Sequence, residues 1–295
     1  MADHTQQHAE APGYVYGELS RLSHPQPKKT SVDYSRYQTL KIEKQDRIAI
    51  VTWNRPAALN TINHQMHLEL EDIWLDLQQD DEVHVVITTG AGRVYSAGGD
   101  LKAQRESLVN NTFYVNHYMA RRLILNILSI DKPIIAALNG DAIGLSANLV
   151  LYHDVIIAEE NARLGDPHVR VGLVAGDSGC IVWPMMAGLA KARELLLTGD
   201  LIGAKQAESL GIINYALPKD QVMPKAMEFA KRLAYGPTRA IRWTKVCYTK
   251  RLRDEVNMVL DASLGLEFAE TFGRHDHLEA VSAFTEKREP HFTGE

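Results

Sequence analysis

Three short, unbroken apolar runs narrow the possible folds of this chain more than any other feature of it. They are His84-Val85-Val86-Ile87-Thr88-Thr89, Pro133-Ile134-Ile135-Ala136-Ala137-Leu138 and Val155-Ile156-Ile157-Ala158. Runs of this length without polar alternation fit strands buried on both faces, as in a parallel sheet. Another strand, Arg47-Ile48-Ala49-Ile50-Val51-Thr52-Trp53, ends an alternating stretch that begins at Leu40 and is broken by Asn54-Arg55-Pro56. Helical spacing lies between the runs: Met66, Leu68, Leu70, Ile73, Trp74 and Leu77, then residues 113–128, then a short piece over 144–151. Strand–helix–strand alternation predicts an α/β sheet with crossover helices. After Pro218 the pattern is helical only, through Ala269 and again over 277–286. The chain therefore divides into a flexible polar arm over 1–36, an α/β core over 37–218 and a helical region over 219–295.

Charge and cysteine usage exclude several function classes. A formal net charge of −5 with no long basic run argues against nucleic acid as a partner. Cys180 and Cys247 lack the paired spacing of metal ligands and read as core thiols in a reducing compartment. No apolar run approaches the roughly 20 residues that span a bilayer. The N-terminus has no apolar signal core, and Asp3, Glu10 and Glu18 interrupt any transit-type helix. The expectation is a cytoplasmic chain with no membrane partner. Gly90-Ala91-Gly92 lacks the third glycine of a dinucleotide loop. His64 and His67 have no third ligand and read as a solvated helix face, and His275-Asp276-His277 reads as a polar connector, so no metal site is expected.

Glycine-bearing stretches follow the strands in order. They are Tyr95-Ser96-Ala97-Gly98-Gly99-Asp100-Leu101-Lys102, then Asn139-Gly140-Asp141-Ala142-Ile143-Gly144, then Ala162-Arg163-Leu164-Gly165-Asp166-Pro167 through Gly172-Leu173. Asn54-Arg55-Pro56 before Ala58-Leu59-Asn60, Leu197-Thr198-Gly199-Asp200 and Ser282-Ala283-Phe284-Thr285-Glu286-Lys287-Arg288 add to them. Together these residues resemble the crotonase (enoyl-CoA hydratase/isomerase) superfamily over residues 38–293.

The resemblance implies an α/β, crotonase-like fold of repeated ββα units. Its C-terminal helical segment would mediate trimerisation, as a trimer or a dimer of trimers. It implies an acyl-CoA substrate, with coenzyme A entering as part of that substrate and no permanently bound cofactor. Two backbone N–H groups, at Gly99 and Leu145 by position, would form an oxyanion hole for the thioester oxygen. The residue types suit this. Gly98-Gly99 permits close backbone approach, and Leu145 opens a helix, where N–H groups lack partners and the dipole favours an anion. The leucine also sets an isobutyl group beside the acyl pocket. Coenzyme A binding falls by resemblance on Arg55, Ala58, Gly99, Asp100, Leu101, Lys102, Phe284 and Lys287.

Hydratases of the superfamily use two glutamates as acid and base. Here the corresponding positions are Asn148, at i+3 from Leu145, and His168. Asparagine can orient a water or a substrate oxygen but cannot take a proton. Histidine can, with an ordinary pKa of about 6.5. Asp177 lies nine residues on as an orienting acceptor, with Asp166 as its rival. The spacing of His168 and Asp177 resembles that of the superfamily's β-diketone hydrolases, of which 6-oxocamphor hydrolase is the type. Those cleave a carbon–carbon bond by a retro-Claisen step; the second histidine of that type would fall near Leu145 and is absent. The sequence thus points to water addition to an activated acyl-CoA, in the manner of an enoyl-CoA hydratase, through a His/Asp pair. The alternatives are retro-Claisen hydrolysis of a β-keto or cyclic diketone substrate, and a non-catalytic CoA-binding scaffold.

Overall fold

A computed structural model describes residues 30–110, 112 and 115–295. The three apolar runs form the parallel centre of a six-stranded sheet: β3 (Val85–Gly90), β4 (Ile134–Leu138) and β6 (Val155–Glu159). The alternating stretch from Leu40 is not one strand but a hairpin, β1 (Leu40–Gln45) and β2 (Ile48–Trp53), turning at Asp46 with φ 55°. The short β9 (Tyr215–Leu217) closes the other edge, in the order β1-β2-β3-β4-β6-β9. A second sheet of three strands joins β5 (Ala142–Ile143), β7 (Arg163–Gly165) and β8 (Ile202–Gly203).

Both faces of the large sheet are covered, as unbroken apolar strands require. On one face Met66, Leu70, Ile73, Trp74 and Leu77 of α1 (His64–Gln79) pack beside Leu123, Ile124 and Ile127 of α3 (His117–Ile127). On the other, Ile48, Val85, Ile87, Ile135 and Ile157 meet Val222, Ala226, Ala230 and Ala234 of α8 (Lys219–Ala234). Small side chains at every fourth position let that helix lie close to the strands.

Four helices have no counterpart in the sequence reading: α2 (Leu101–Val109), α5 (Gly179–Ala187), α6 (Leu189–Thr198) and α7 (Ala204–Ser209). Only the short α4 (Leu145–Val150) separates β5 from β6. Beyond α8 the chain is helical as expected: α9 (Thr238–Gly265), a π-helical turn (Leu266–Thr271) and α10 (His275–Glu286).

One boundary shifts. Residues 1–29 of the expected arm lie outside the described residues, and residues 30–36 are docked. There the Thr30 amide donates to Asp81 and the Tyr34 hydroxyl to Asp80, while Arg36 pairs with Asp76, so the end of α1 holds this segment. Cys247 is exposed rather than a core thiol. His275 and His277 do not form a polar connector but open α10. There the fully buried His277 accepts a bond from the Gly273 amide at 2.9 Å. Among the described residues no helix is long and apolar enough to cross a membrane.

Candidate active site

Loops leaving the carboxyl ends of β3 and β4 cross each other and meet the β7 loop. The Ser96 amide donates to Asp141 O at 3.1 Å, and the Ile143 amide returns to Ser96 O at 3.1 Å. The Gly144 amide reaches Gly165 O at 2.8 Å. Gly98 has φ 88°, and a Cβ there would lie 2.7 Å from Ile143 O, so only glycine lets the two loops meet.

The same crossing aims two amides into open space. The Ile62 amide donates to Gly98 O at 2.8 Å and the Asp100 amide to Ile62 O at 3.2 Å. Both neighbours of Gly99 face Ile62, so the Gly99 N–H points to the opposite side. Leu145 is the first residue of α4, where no intrahelical acceptor exists for its N–H. Among the described residues neither N–H has a partner.

An outer cleft of about 580 Å³ runs past this point, lined by Ala58, Gly99, Asp100, Leu101, Lys102 and Phe284 among others, with His168 at its end. An inner chamber of about 80 Å³ lies deeper and shares Gly99, Gln104, His168 and Leu173 with it. Leu145 walls this chamber with Phe268 and Phe272.

Two expected cleft residues are elsewhere. Arg55 turns its guanidinium onto Asp100 at 3.2 Å and onto Thr61, which ties down the loop instead of lining the cleft. Lys287 is an exposed left-handed residue that ends α10. Asp100 borders the cleft, but its carboxylate caps α2 through the Ala103 amide and holds Arg55.

His168 stands between two carboxylates. Nδ1 meets Asp166 Oδ1 in a very short contact, and Nε2 lies 3.3 Å from Asp177 Oδ2. The partner choice left open by the sequence is resolved as both. Asp166 can come so close to the start of α5 because residue 179 is glycine; a Cβ there would lie 1.9 Å from its Oδ2. Burial favours the neutral ring, but Asp166 and then Asp177 outweigh it and raise the His168 pKa well above the usual histidine value. Both carboxylates thus favour the charged ring over the neutral one, against the usual balance near 6.5 that suits a resting base. Asp166 is driven the other way: burial opposes its charge, but the His168 imidazolium and hydrogen bonds hold its pKa low.

Asn148 is fully buried. Its amide donates to Asp166 Oδ2 at 2.8 Å and to Asp177 Oδ1 at 2.7 Å, and its carbonyl accepts from Trp183 Nε1 at 2.8 Å. The amide nitrogen bridges the two carboxylates while the oxygen is held by the indole. Asp166, His168 and Asp177 each bring one potential metal ligand within 4.8 Å of the others. The ring, however, turns a different nitrogen to each carboxylate, which links the three by protons.

Sequence reasoning missed two chamber residues. Glu267, in the π-helical turn, is buried with Oε2 unpartnered among the described residues. Burial and then the Asp177 charge raise its pKa well above the carboxylate range, against the opposite pull of His168. Nothing around Glu267 in the sequence marks it. His67 is not part of a solvated face: it is buried in the chamber wall, whereas His64 is exposed. Its position between the inward Met66 and Leu70 was the available signal.

The chain is similar to known proteins. The sequence model of the enoyl-CoA hydratase/isomerase family matches residues 43–295. The short-chain-enoyl-CoA hydratase of Clostridium acetobutylicum is 32% identical, over 84% of this chain and 94% of that protein. The 2,3-dehydroadipyl-CoA hydratase of Escherichia coli is 31% identical, over 86% and 98%. Among solved structures, an enoyl-CoA hydratase/isomerase from Mycobacterium paratuberculosis superposes with a TM-score of 0.77 at 33% identity, covering 83% of this chain and 97% of that one.

Proposed function

The chain belongs to the enoyl-CoA hydratase/isomerase family, and on that premise we propose that it binds an acyl-CoA thioester and adds water to its activated acyl group. The observation that carries this reading is the pair of unpartnered N–H groups at Gly99 and Leu145, beside His168 where the cleft meets the chamber. A thioester oxygen held by both would have its developing charge stabilised by donors already in place. One such donor is worth about 2.7–4 kcal/mol in the transition state. The coenzyme A portion would follow Ala58, Leu101, Lys102 and Phe284 along the outer cleft, with the Lys102 ammonium suited to phosphate oxygens. No permanently bound cofactor is called for.

In this reading His168 is the acid. As water bonds to the β-carbon, the C=C electron pair moves toward the thioester oxygen, and the α-carbon of the resulting enolate takes the His168 proton. Asp166 and Asp177 orient and charge the ring, and Asn148 positions both carboxylates. A second reading rests on the same bracketed histidine with a buried carboxyl of raised pKa, Glu267, in the same chamber. Water attack on a β-keto carbonyl would break the adjacent carbon–carbon bond, and His168 would protonate the departing carbanion. The helical region over 219–295 would mediate assembly into a trimer or a dimer of trimers.

Parallel assays with 2-enoyl-CoA and 3-oxoacyl-CoA esters test the proposal and separate the two readings. We expect turnover of at least one class, falling as pH rises through the raised His168 value, where the ring loses its proton. His168→Ala should lower kcat by about 10²-fold or more with KM nearly unchanged. Full activity in His168→Ala would sink the assignment.

A further inference from the structure

Water addition needs a group that accepts a proton while His168 gives one up. The inner chamber holds a second histidine. His67 lies on the buried side of α1, five residues after Ile62, whose backbone grips Gly98 and Asp100 on either side of Gly99. The residue is 3% exposed and shares the chamber wall with Gly99, His168, Asp177 and Glu267.

Its Nδ1 lies 3.0 Å from Glu71 Oε1, one helical turn on. The other Glu71 oxygen accepts from Arg122 Nε at 2.8 Å, with Arg122 Nη2 at 2.6 Å. A carboxylate at Nδ1 holds a ring proton there and leaves Nε2 as the other nitrogen of a residue that lines the chamber. This is the arrangement a general base requires, and the carboxylate stabilises the imidazolium that then forms. His168 is the converse, since both its nitrogens face carboxylates. One chamber thus carries two histidines with different carboxylate surroundings.

Resting on the hydration reading above, we propose that His67 Nε2 is the general base. It takes a proton from water as the water oxygen bonds to the β-carbon. The C=C pair moves to the thioester oxygen, and His168 delivers a proton to the α-carbon. One molecule of water is added. The proton on His67 returns to His168 by way of solvent, which restores both rings.

A purely structural His67 would steady Glu71 and Arg122 and affect folding rather than turnover. The test uses His67→Gln and Glu71→Gln in the full chain, with a 2-enoyl-CoA that the wild type hydrates. Kinetics are read beside the rise in melting temperature that the CoA ester causes. The expected result for His67→Gln is a kcat at least about 10²-fold lower, KM within about threefold and the ligand-induced rise retained. Glu71→Gln should cost about tenfold, because it frees the ring without removing it. A folded His67→Gln with wild-type kcat overturns the proposal. If that variant does not fold, Glu71→Gln decides, and an unchanged kcat there overturns it equally. A wild type that turns over no CoA thioester would instead overturn the reading on which this one rests.

Discussion

Asn148 is a residue whose place the sequence marked and whose hydrogen bonds it did not. Its location one turn beyond Leu145 was legible in the sequence, but its task was not. The carboxylates it holds stand 18 and 29 residues away, and no local pattern joins them. His168 was legible as a candidate for the same reason of position, whereas the upward pull on its pKa was not. That pull comes from two aspartates converging on one ring, which only the folded chain brings about. Asn148→Leu should leave Asp166 Oδ2, Asp177 Oδ1 and Trp183 Nε1 buried without their partner. At about 1–3 kcal/mol for each stranded group, the loss should be at least about 3 kcal/mol, read from urea unfolding. A loss below 1 kcal/mol would mean that water replaces the amide.

At the level of elements, the unbroken apolar strands and the inward face of α1 declared themselves, because burial on a regular period leaves a regular trace. The hairpin of β1 and β2 did not, since its turn at Asp46 carries no glycine to punctuate it. The helix α2 begins at an aspartate cap whose signal was hidden in the glycine-rich loop before it. The π-helical turn was equally silent, yet it sets Glu267 against the loop that carries Asp177. A Cβ at Gly176 would lie 2.4 Å from Ser263 O and 2.7 Å from Glu267 Cβ, so loop and turn are in intimate contact. This placement has a pH signature. An unfolded chain releases the Glu267 proton near 4.5, whereas the folded chain keeps it to higher pH. Its contribution to stability is therefore complete below 4.5 and is lost as pH rises through the folded value. Glu267→Gln, which keeps the neutral shape, should raise the melting temperature at pH 8 and change it little at pH 4. A gain of equal size at both would refute the protonated form.

The molecule as a whole leaves apolar side chains on its outer helices. Trp243, Tyr248 and Met258 of α9 and Leu266 beyond it are more than half exposed in the single chain. An assembly that covers them is the expected state. Sedimentation should give a particle of three or six times 33.0 kDa, and a 33.0 kDa particle at micromolar concentration would remove the trimer. The four tryptophans also divide by address. Trp53 and Trp74 are sealed in the core, their indole nitrogens unpartnered among the described residues, and Trp243 faces outward. Trp183 alone donates its indole proton to Asn148, two bonds removed from the ring of His168. In a nitrogen–proton spectrum that one indole resonance is a native gauge of the acid–base cluster. It registers from inside the fold, with no label attached, whether the cluster is charged, neutral or displaced by a ligand.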